Sequence, residues 1–234
     1  MVKPNRLAKG SKSAPALDAA SGSGAGETER RILAAARKEF ILKGLDGARM
    51  QAIATEAGVN KALLHYYYRS KDRLYTTVLQ DTLQTVWGKL QIDFRAHGPS
   101  DGLEALVRTL VSTYLKTLAA IPDFPLFMIR EMSTGGAAFH ASLKEVGTPF
   151  GDIPARLFGA LKAEIKAGKV KPTPPLHFFM NIMGMSVATF LAKPLIEKMA
   201  PMMGTAMDFG GRFLEDRIQS IVDMAMNGIR TRKG

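Results

Sequence analysis

Apolar residues recur at helical spacing at Ile32, Leu33, Ala36 and Phe40, the stripe of an amphipathic helix with one face turned to a core. Thr28 is the expected N-cap of that helix, Glu29 in its first turn suits the positive end of the helix dipole, and Gly44 stands where a C-terminal glycine closes one. A second, short helix is predicted over about 49–57, with Met50, Ile53 and Ala54 on its apolar face. Gly58 supplies a turn, Val59 plugs the angle, and Asn60 is the expected N-cap of a third short helix through Tyr67. Two short helices joined by a tight glycine turn have the build of a helix-turn-helix, whose second helix enters a major groove. Helix–glycine–helix corners also occur in plain helical proteins, so spacing alone leaves both readings open.

The rest of the chain keeps the helical period. Further helices are predicted over about 71–94, 101–119, 126–132, 154–167, 176–193 and 209–229, separated by prolines (Pro122, Pro125, Pro172, Pro174, Pro175) and by a loop over 133–136. No alternating pattern of useful length predicts a strand, and no repeat of fixed period stands out, so the fold class is all-α. Residues 1–26 are rich in Gly, Ala, Ser and Lys and nearly lack bulky apolar side chains, which predicts a flexible basic arm. Its Gly22-Ser23-Gly24-Ala25-Gly26 run has no strand before it and no GK[ST] after it, so it reads as a linker and not as a phosphate loop.

Composition narrows the chemistry. The 234 residues contain no cysteine, which excludes disulfide scaffolds, zinc-thiolate sites, iron–sulfur clusters and thiol catalysis, and fits a reducing cytoplasm. Lys and Arg exceed Asp and Glu by 32 to 21, a formal charge of +11. Residues 1–74 hold 14 of those cations against 7 of the acids, so a polyanionic partner is sought in that third of the chain. The N-terminal basic residues are not followed by the apolar run of a signal peptide. The most apolar stretch, 176–192, carries His177, Asn181, Ser186 and Thr189, and is read as a helix at a bundle core or dimer interface instead of a membrane span. Only His65, His97, His140 and His177 could serve as histidine ligands, and no two share metal-ligand spacing. Neither HExxH, GxSxG nor a P-loop is present, and Asp81, Glu131, Glu145 and Glu164 read as scattered helix-surface carboxylates, so an enzyme is not expected and no cofactor or metal is implied.

The block from Ala57-Gly58-Val59-Asn60-Lys61 through Leu64-His65-Tyr66-Tyr67-Tyr68 to Ser70-Lys71, opened by Ile53-Ala54 and ended by Leu74, resembles the signature of the TetR family of transcriptional regulators. With Ile32, Leu33, Ala35, Ala36, Phe40 and Lys43-Gly44 upstream, the likeness covers about 27–80. This chain has His65 where the family pattern has Tyr, Tyr67 for His, Tyr68 for Phe, Ala62 for Gly, and Ala48-Arg49 where Thr-Thr or Thr-Ser is usual. The resemblance implies an arm (1–26), a TetR-type DNA-binding domain (27–86, helix-turn-helix about 49–68) and a helical effector-binding and dimerisation domain (87–234).

Base reading needs side chains near the N-terminal end of the recognition helix. Asn60, Lys61 and Ala62 occupy that end: Lys61 suits guanine O6/N7, and Ala62 a thymine methyl. One turn on, His65 and Tyr66 share the exposed face, Leu64 and Tyr68 turn inward, and Tyr67 at the edge offers a hydroxyl to phosphate, though Tyr67 and Tyr68 could equally be core aromatics. By resemblance Gln51 reaches a base edge, Arg49 contacts the backbone beside it, and Lys71 matches the family's phosphate-binding lysine. The resemblance further implies a homodimer through the last two helices, so that two recognition helices read a near-palindromic duplex. It also implies a pocket for a small, largely apolar effector, with Trp87, Phe127, Phe150, Phe158 and Met183 as candidate lining, side chains that serve a core equally well. The expected function is a repressor released from its operator by that effector. A sequence-independent architectural DNA binder, and a helical small-molecule binder or enzyme, are the alternatives.

Overall fold

The apolar stripes fold into ten helices in a computed structural model that describes residues 22–96, 101–146, 151–204 and 209–231. In chain order they are α1 (Gly22–Gly47), α2 (Met50–Glu56), α3 (Lys61–Tyr68), α4 (Lys71–Arg95), α5 (Gly102–Ala120), α6 (Phe124–Ser133), α7 (Ala137–Val146), α8 (Ile153–Lys166), α9 (Pro175–Met199) and α10 (Gly211–Asn227). Among the described residues the extended pairing amounts to one antiparallel bridge, Val170 with Arg230.

α1 begins at Gly22, so Thr28 lies within it and 22–26 form its first residues instead of a linker; the rest of the expected arm lies outside the described residues. At Gly44 the backbone turns to φ 69°, ψ 179°, which ends the regular helix where a glycine pays no Cβ penalty, and a single further turn is closed by Ala48 N–H donating to the Gly44 carbonyl at 3.2 Å. α1, α2 and α3 pack their inner faces together: Ile32, Ala36, Phe40, Ile53, Ala54 and Leu64 are fully buried.

α4 ties this head to the body. Its buried residues (Leu74, Tyr75, Val78, Leu79, Leu83, Val86, Trp87, Leu90, Phe94) recur at three- and four-residue steps and pack on α1 at one end and on α5 and α7 further along. α7 has no counterpart in the predicted elements. It follows a two-glycine turn in which Gly135 (φ 97°) and Gly136 (φ 68°) both adopt left-handed conformations, with Gly136 N–H donating to the Glu131 carbonyl at 2.9 Å. The C-terminal segment is clipped to the loop after α8: Lys171 N–H donates to the Ile229 carbonyl at 2.8 Å, and Arg230 pairs with Glu104 of α5 at 2.6 Å.

α9 is apolar on all sides but buries one narrow stripe, Phe178, Ile182, Ser186 and Thr189. Leu176, Met180, Leu195 and Met199 stand exposed, as do Met202 just beyond it and Met224 on α10. With the short 3-10 turn that follows, Pro175–Met202 is long and apolar enough to cross a membrane by length and composition. The stretch is therefore longer and far less buried within one chain than a bundle-core helix, and an unpartnered apolar face is what distinguishes it.

Candidate nucleic-acid interface

The recognition helix is set by its two ends. At the start, Asn60 has extended backbone (φ −80°, ψ 156°) and its Oδ1 accepts from Leu63 N–H at 2.7 Å, satisfying one of the donors a helix start leaves open. Gly58, at φ 65°, makes the corner from α2, closed by Val59 N–H to the Ala54 carbonyl at 2.9 Å. At the far end Arg69 adopts a left-handed φ of 55° and Ser70 caps α4, its Oγ accepting from Arg73 N–H at 3.1 Å. Replacing Asn60 by alanine removes the cap; we expect about 1 kcal/mol lower unfolding free energy in urea denaturation, with the slope of the transition unchanged.

Between these ends α3 is anchored by Leu64, fully buried, and Tyr68, whose hydroxyl donates to Glu29 of α1 at 3.3 Å. Burial, and then the Glu29 carboxylate, push the Tyr68 hydroxyl well above its ordinary range, so it stays protonated. With those two inside, Lys61, Ala62, His65 and Tyr66 are exposed. Lys61 and His65 are one turn apart, as are Ala62 and Tyr66, so the four form a continuous outward patch on α3. Tyr66 is 80% exposed, large for an aromatic with no cover. Tyr67 is half-buried, its ring edge-on to Tyr66 at 5.8 Å and tilted against Tyr68 at 6.2 Å. The His65 ring Nδ1 lies 3.3 Å from the Arg69 carbonyl, which steadies its orientation on the helix.

Arg49 and Gln51 are both exposed at the start of α2. Arg49 is held by its backbone, the N–H donating to Glu39 Oε1 at 3.2 Å, while Lys43 reaches the same carboxylate at 2.8 Å. Burial pushes the Glu39 carboxyl up, but these two donors outweigh it and leave it below its ordinary value. Lys71 is turned inward: its Nζ donates to the carbonyls of Asp46 (3.0 Å) and Ala48 (3.4 Å), bracing the turn before α2. Glu39, Arg69 and Ser70 are thus working parts of the region that the sequence reading passed over. Ser70 directly before a helical run is a cap signal in its own right, whereas the role of Glu39 depends on a contact ten residues away.

The proposed effector lining is dispersed. Trp87 stacks on Tyr114 at 6.1 Å, Phe127 meets Tyr75 edge-on at 5.4 Å, and Phe158 meets Phe179 at 6.2 Å beside half-buried Met183, while Phe150 lies outside the described residues. Trp87, Phe127 and Phe158 sit in packed aromatic contacts, and the four that are described are not gathered around one described cavity. Of the carboxylates, Glu131 is not a surface group, being 4% exposed, whereas Asp81, which pairs with Arg37 at 2.5 Å, and Glu164, which accepts from Leu103 N–H at the start of α5 at 3.1 Å, remain part-exposed; of Glu145's side chain nothing is described. Among the described residues no group of three or more His, Asp or Glu side chains is placed to hold a metal ion.

Comparison with known proteins sets this geometry in context. The family described as "Bacterial regulatory proteins, tetR family" matches residues 32–78, the stretch from the middle of α1 to the first turns of α4. The transcriptional repressor NicS of Pseudomonas putida is 26% identical over 223 residues, covering 88% of this chain and 94% of that protein. The transcriptional regulator RutR of Escherichia coli K12 is 27% identical over 157 residues, covering 66% of this chain and 69% of its own. In fold, the regulator FadR of Bacillus subtilis, solved with stearoyl-CoA, superposes with a TM-score of 0.62 at 15% identity over 86% of this chain and all of that one. A cap-and-glycine helix-turn-helix, a matching family head and regulator relatives along most of the length agree with one another: residues 32–78 carry the DNA-binding head of the TetR family, and the chain as a whole is similar to transcriptional regulators.

Proposed function

We propose that this regulator is a homodimeric repressor that leaves its operator when a small molecule binds its body. The observation that carries the DNA half of this reading is the outward patch of Lys61, Ala62, His65 and Tyr66 on a helix capped by Asn60 and anchored by Leu64 and Tyr68. Lys61 supplies a donor for guanine O6/N7, and Arg49, Gln51, Tyr67 and, once released from its carbonyls, Lys71 flank it for base-edge and phosphate contact. The reading divides the chain into a DNA head over 27–86 and a regulatory body over 87–234, with α4 running through both.

Dimerisation is supported by the exposed apolar face of α9 and α10, where a groove of about 660 Å³ is lined by Phe178, Met180, Met185 and Met224. A second copy covers such a face isologously and sets two recognition helices for a near-palindromic site. That same cover accounts for the apolar α9 without a membrane, and DNA as partner places the work in the cytoplasm. A largely apolar effector would enter the body by parting aromatic contacts such as Phe158–Phe179 and Trp87–Tyr114, with Met183 on α9 and Phe127 on α6 as further candidate lining. A preference of about 3 kcal/mol for the conformer with misplaced recognition helices would weaken operator binding roughly a hundredfold.

Selection of bound duplexes from a random pool at roughly physiological salt tests this. The wild type is expected to enrich a near-palindrome that a Lys61→Ala/His65→Ala double variant loses. Equal, salt-sensitive binding by both proteins without an enriched motif would move the assignment to a sequence-independent architectural binder.

A further inference from the structure

Between the end of α1 and the α6–α7 turn lies a cavity of about 470 Å³, walled by Leu45 and Asp46 from the head, Tyr75 from α4, and Arg130, Glu131 and Thr134 from the body. Its floor holds a buried acid. Glu131 is 4% exposed, its Oε2 accepts from the Tyr75 hydroxyl at 2.8 Å, and its Oε1 accepts from Phe139 N–H at 3.0 Å. Both oxygens therefore act as acceptors, the pattern of an ionised carboxylate. Both donors are neutral, and among the described residues no ion pair reaches Glu131.

Buried charges are ordinarily matched by an opposite charge. Among the described residues, neither of the two cations that line the cavity, Arg130 and Lys43, forms an ion pair with Glu131. Arg130, next in the chain, donates from Nη1 to the Ile41 carbonyl at 2.5 Å, and Lys43 on the wall is paired with Glu39 at 2.8 Å. The second carboxylate of the cavity, Asp46, is exposed near its mouth; its carbonyl accepts from Lys71, and among the described residues its side chain has no recorded partner. The cavity thus presents two carboxylates, Glu131 and Asp46, beside two cations turned to other partners, Arg130 to the Ile41 carbonyl and Lys43 to Glu39, with room for several heavy atoms.

We propose that this cavity is a binding site for a small organic cation, an ammonium or guanidinium group that pairs with Glu131 and is flanked by Asp46. It differs from the apolar effector pocket in place and in chemistry, since its walls come from the head–body junction. An ammonium donates to the free lone pairs of Glu131 while leaving the Tyr75 and Phe139 bonds in place.

The test is a titration of the full chain without DNA, so that it stands apart from the operator reading. The probes are n-butylammonium, 1-butanol and butyrate, matched in size and differing in charge, and the readout is the Phe139 amide resonance, whose N–H bonds Glu131. Butylammonium is expected to shift that resonance saturably and to bind at least about tenfold tighter than 1-butanol, with no saturable response to butyrate. Glu131→Gln keeps the shape and removes the charge, and should lose about that tenfold. Asp46→Asn, at an exposed position that does not endanger folding, should weaken butylammonium severalfold and carries the test on its own if the buried variant is unstable. Equal binding of the three probes, or butylammonium binding unmoved by either substitution, would overturn the proposal and leave a cavity that holds water.

Discussion

A Met180→Glu/Met224→Glu variant is expected to sediment as a monomer at concentrations where the wild type is a dimer, and to lose operator affinity by three orders of magnitude or more. Both side chains are exposed in the single chain, at 60% and 66%, so charging them costs the isolated fold little. Both also line the groove beside α9 and α10, where a second copy would seal them from water. Burying an unpaired carboxylate costs several kcal/mol, and in an isologous interface each substitution occurs twice. A loss of about 4 kcal/mol in dimerisation carries through to DNA as roughly a thousandfold, because one head reads only one half-site. Ile92→Glu is the control: that residue is 69% exposed on α4, away from the α9–α10 face, and its substitution should change neither assembly nor binding. Analytical ultracentrifugation and a binding isotherm on the selected operator read the two effects. A charged variant that stayed dimeric would move the interface to another surface.

How much of this was legible beforehand depends on the range of the interaction involved. The corner Gly58-Val59-Asn60 could be read because its physics is local: a positive φ, a side-chain cap three residues from its donor, and an apolar period on either side. Gly44 was legible for the same reason. The start of α1 was not, since Gly22 to Gly26 has linker composition and propensity favours a start at Thr28. α7 escaped because its ten residues carry too short an apolar period to stand out, although the two glycines before it marked the turn. Long-range partners were wholly hidden. Nothing near Lys71 in the chain shows that its Nζ rests on carbonyls 25 and 23 residues away, and Glu131 looks like any helix carboxylate until Tyr75, 56 residues upstream, closes over it. The exposed face of α9 was half legible: its apolar composition was plain, but only packing shows that one stripe is used and the rest left bare.

Phe40→Ala should separate the stability of the head from its reading of DNA. Phe40 is fully buried in α1 and meets the Tyr75 ring edge-on at 4.9 Å, and Tyr75 in turn meets Phe127 of α6. Its removal leaves a void at the place where head, α4 and body join, and Phe→Ala in a core costs about 3–5 kcal/mol because the walls collapse only in part. For a chain of this size that corresponds to a melting midpoint lowered by roughly 10 °C, read by calorimetry at fixed protein concentration. Below its transition the variant keeps Lys61, His65 and Tyr66 on its surface, so operator affinity should fall much less than stability. Tyr66→Ala should do the reverse. That ring is 80% exposed and supports no packing beyond its edge contact with Tyr67, so the midpoint should stay within about 1 °C while operator binding weakens about tenfold. The pair forms a crossed test of the interface: if Tyr66→Ala lowered stability and spared DNA binding, the outward face of α3 would be a structural surface and the reading head would have to be sought on α2.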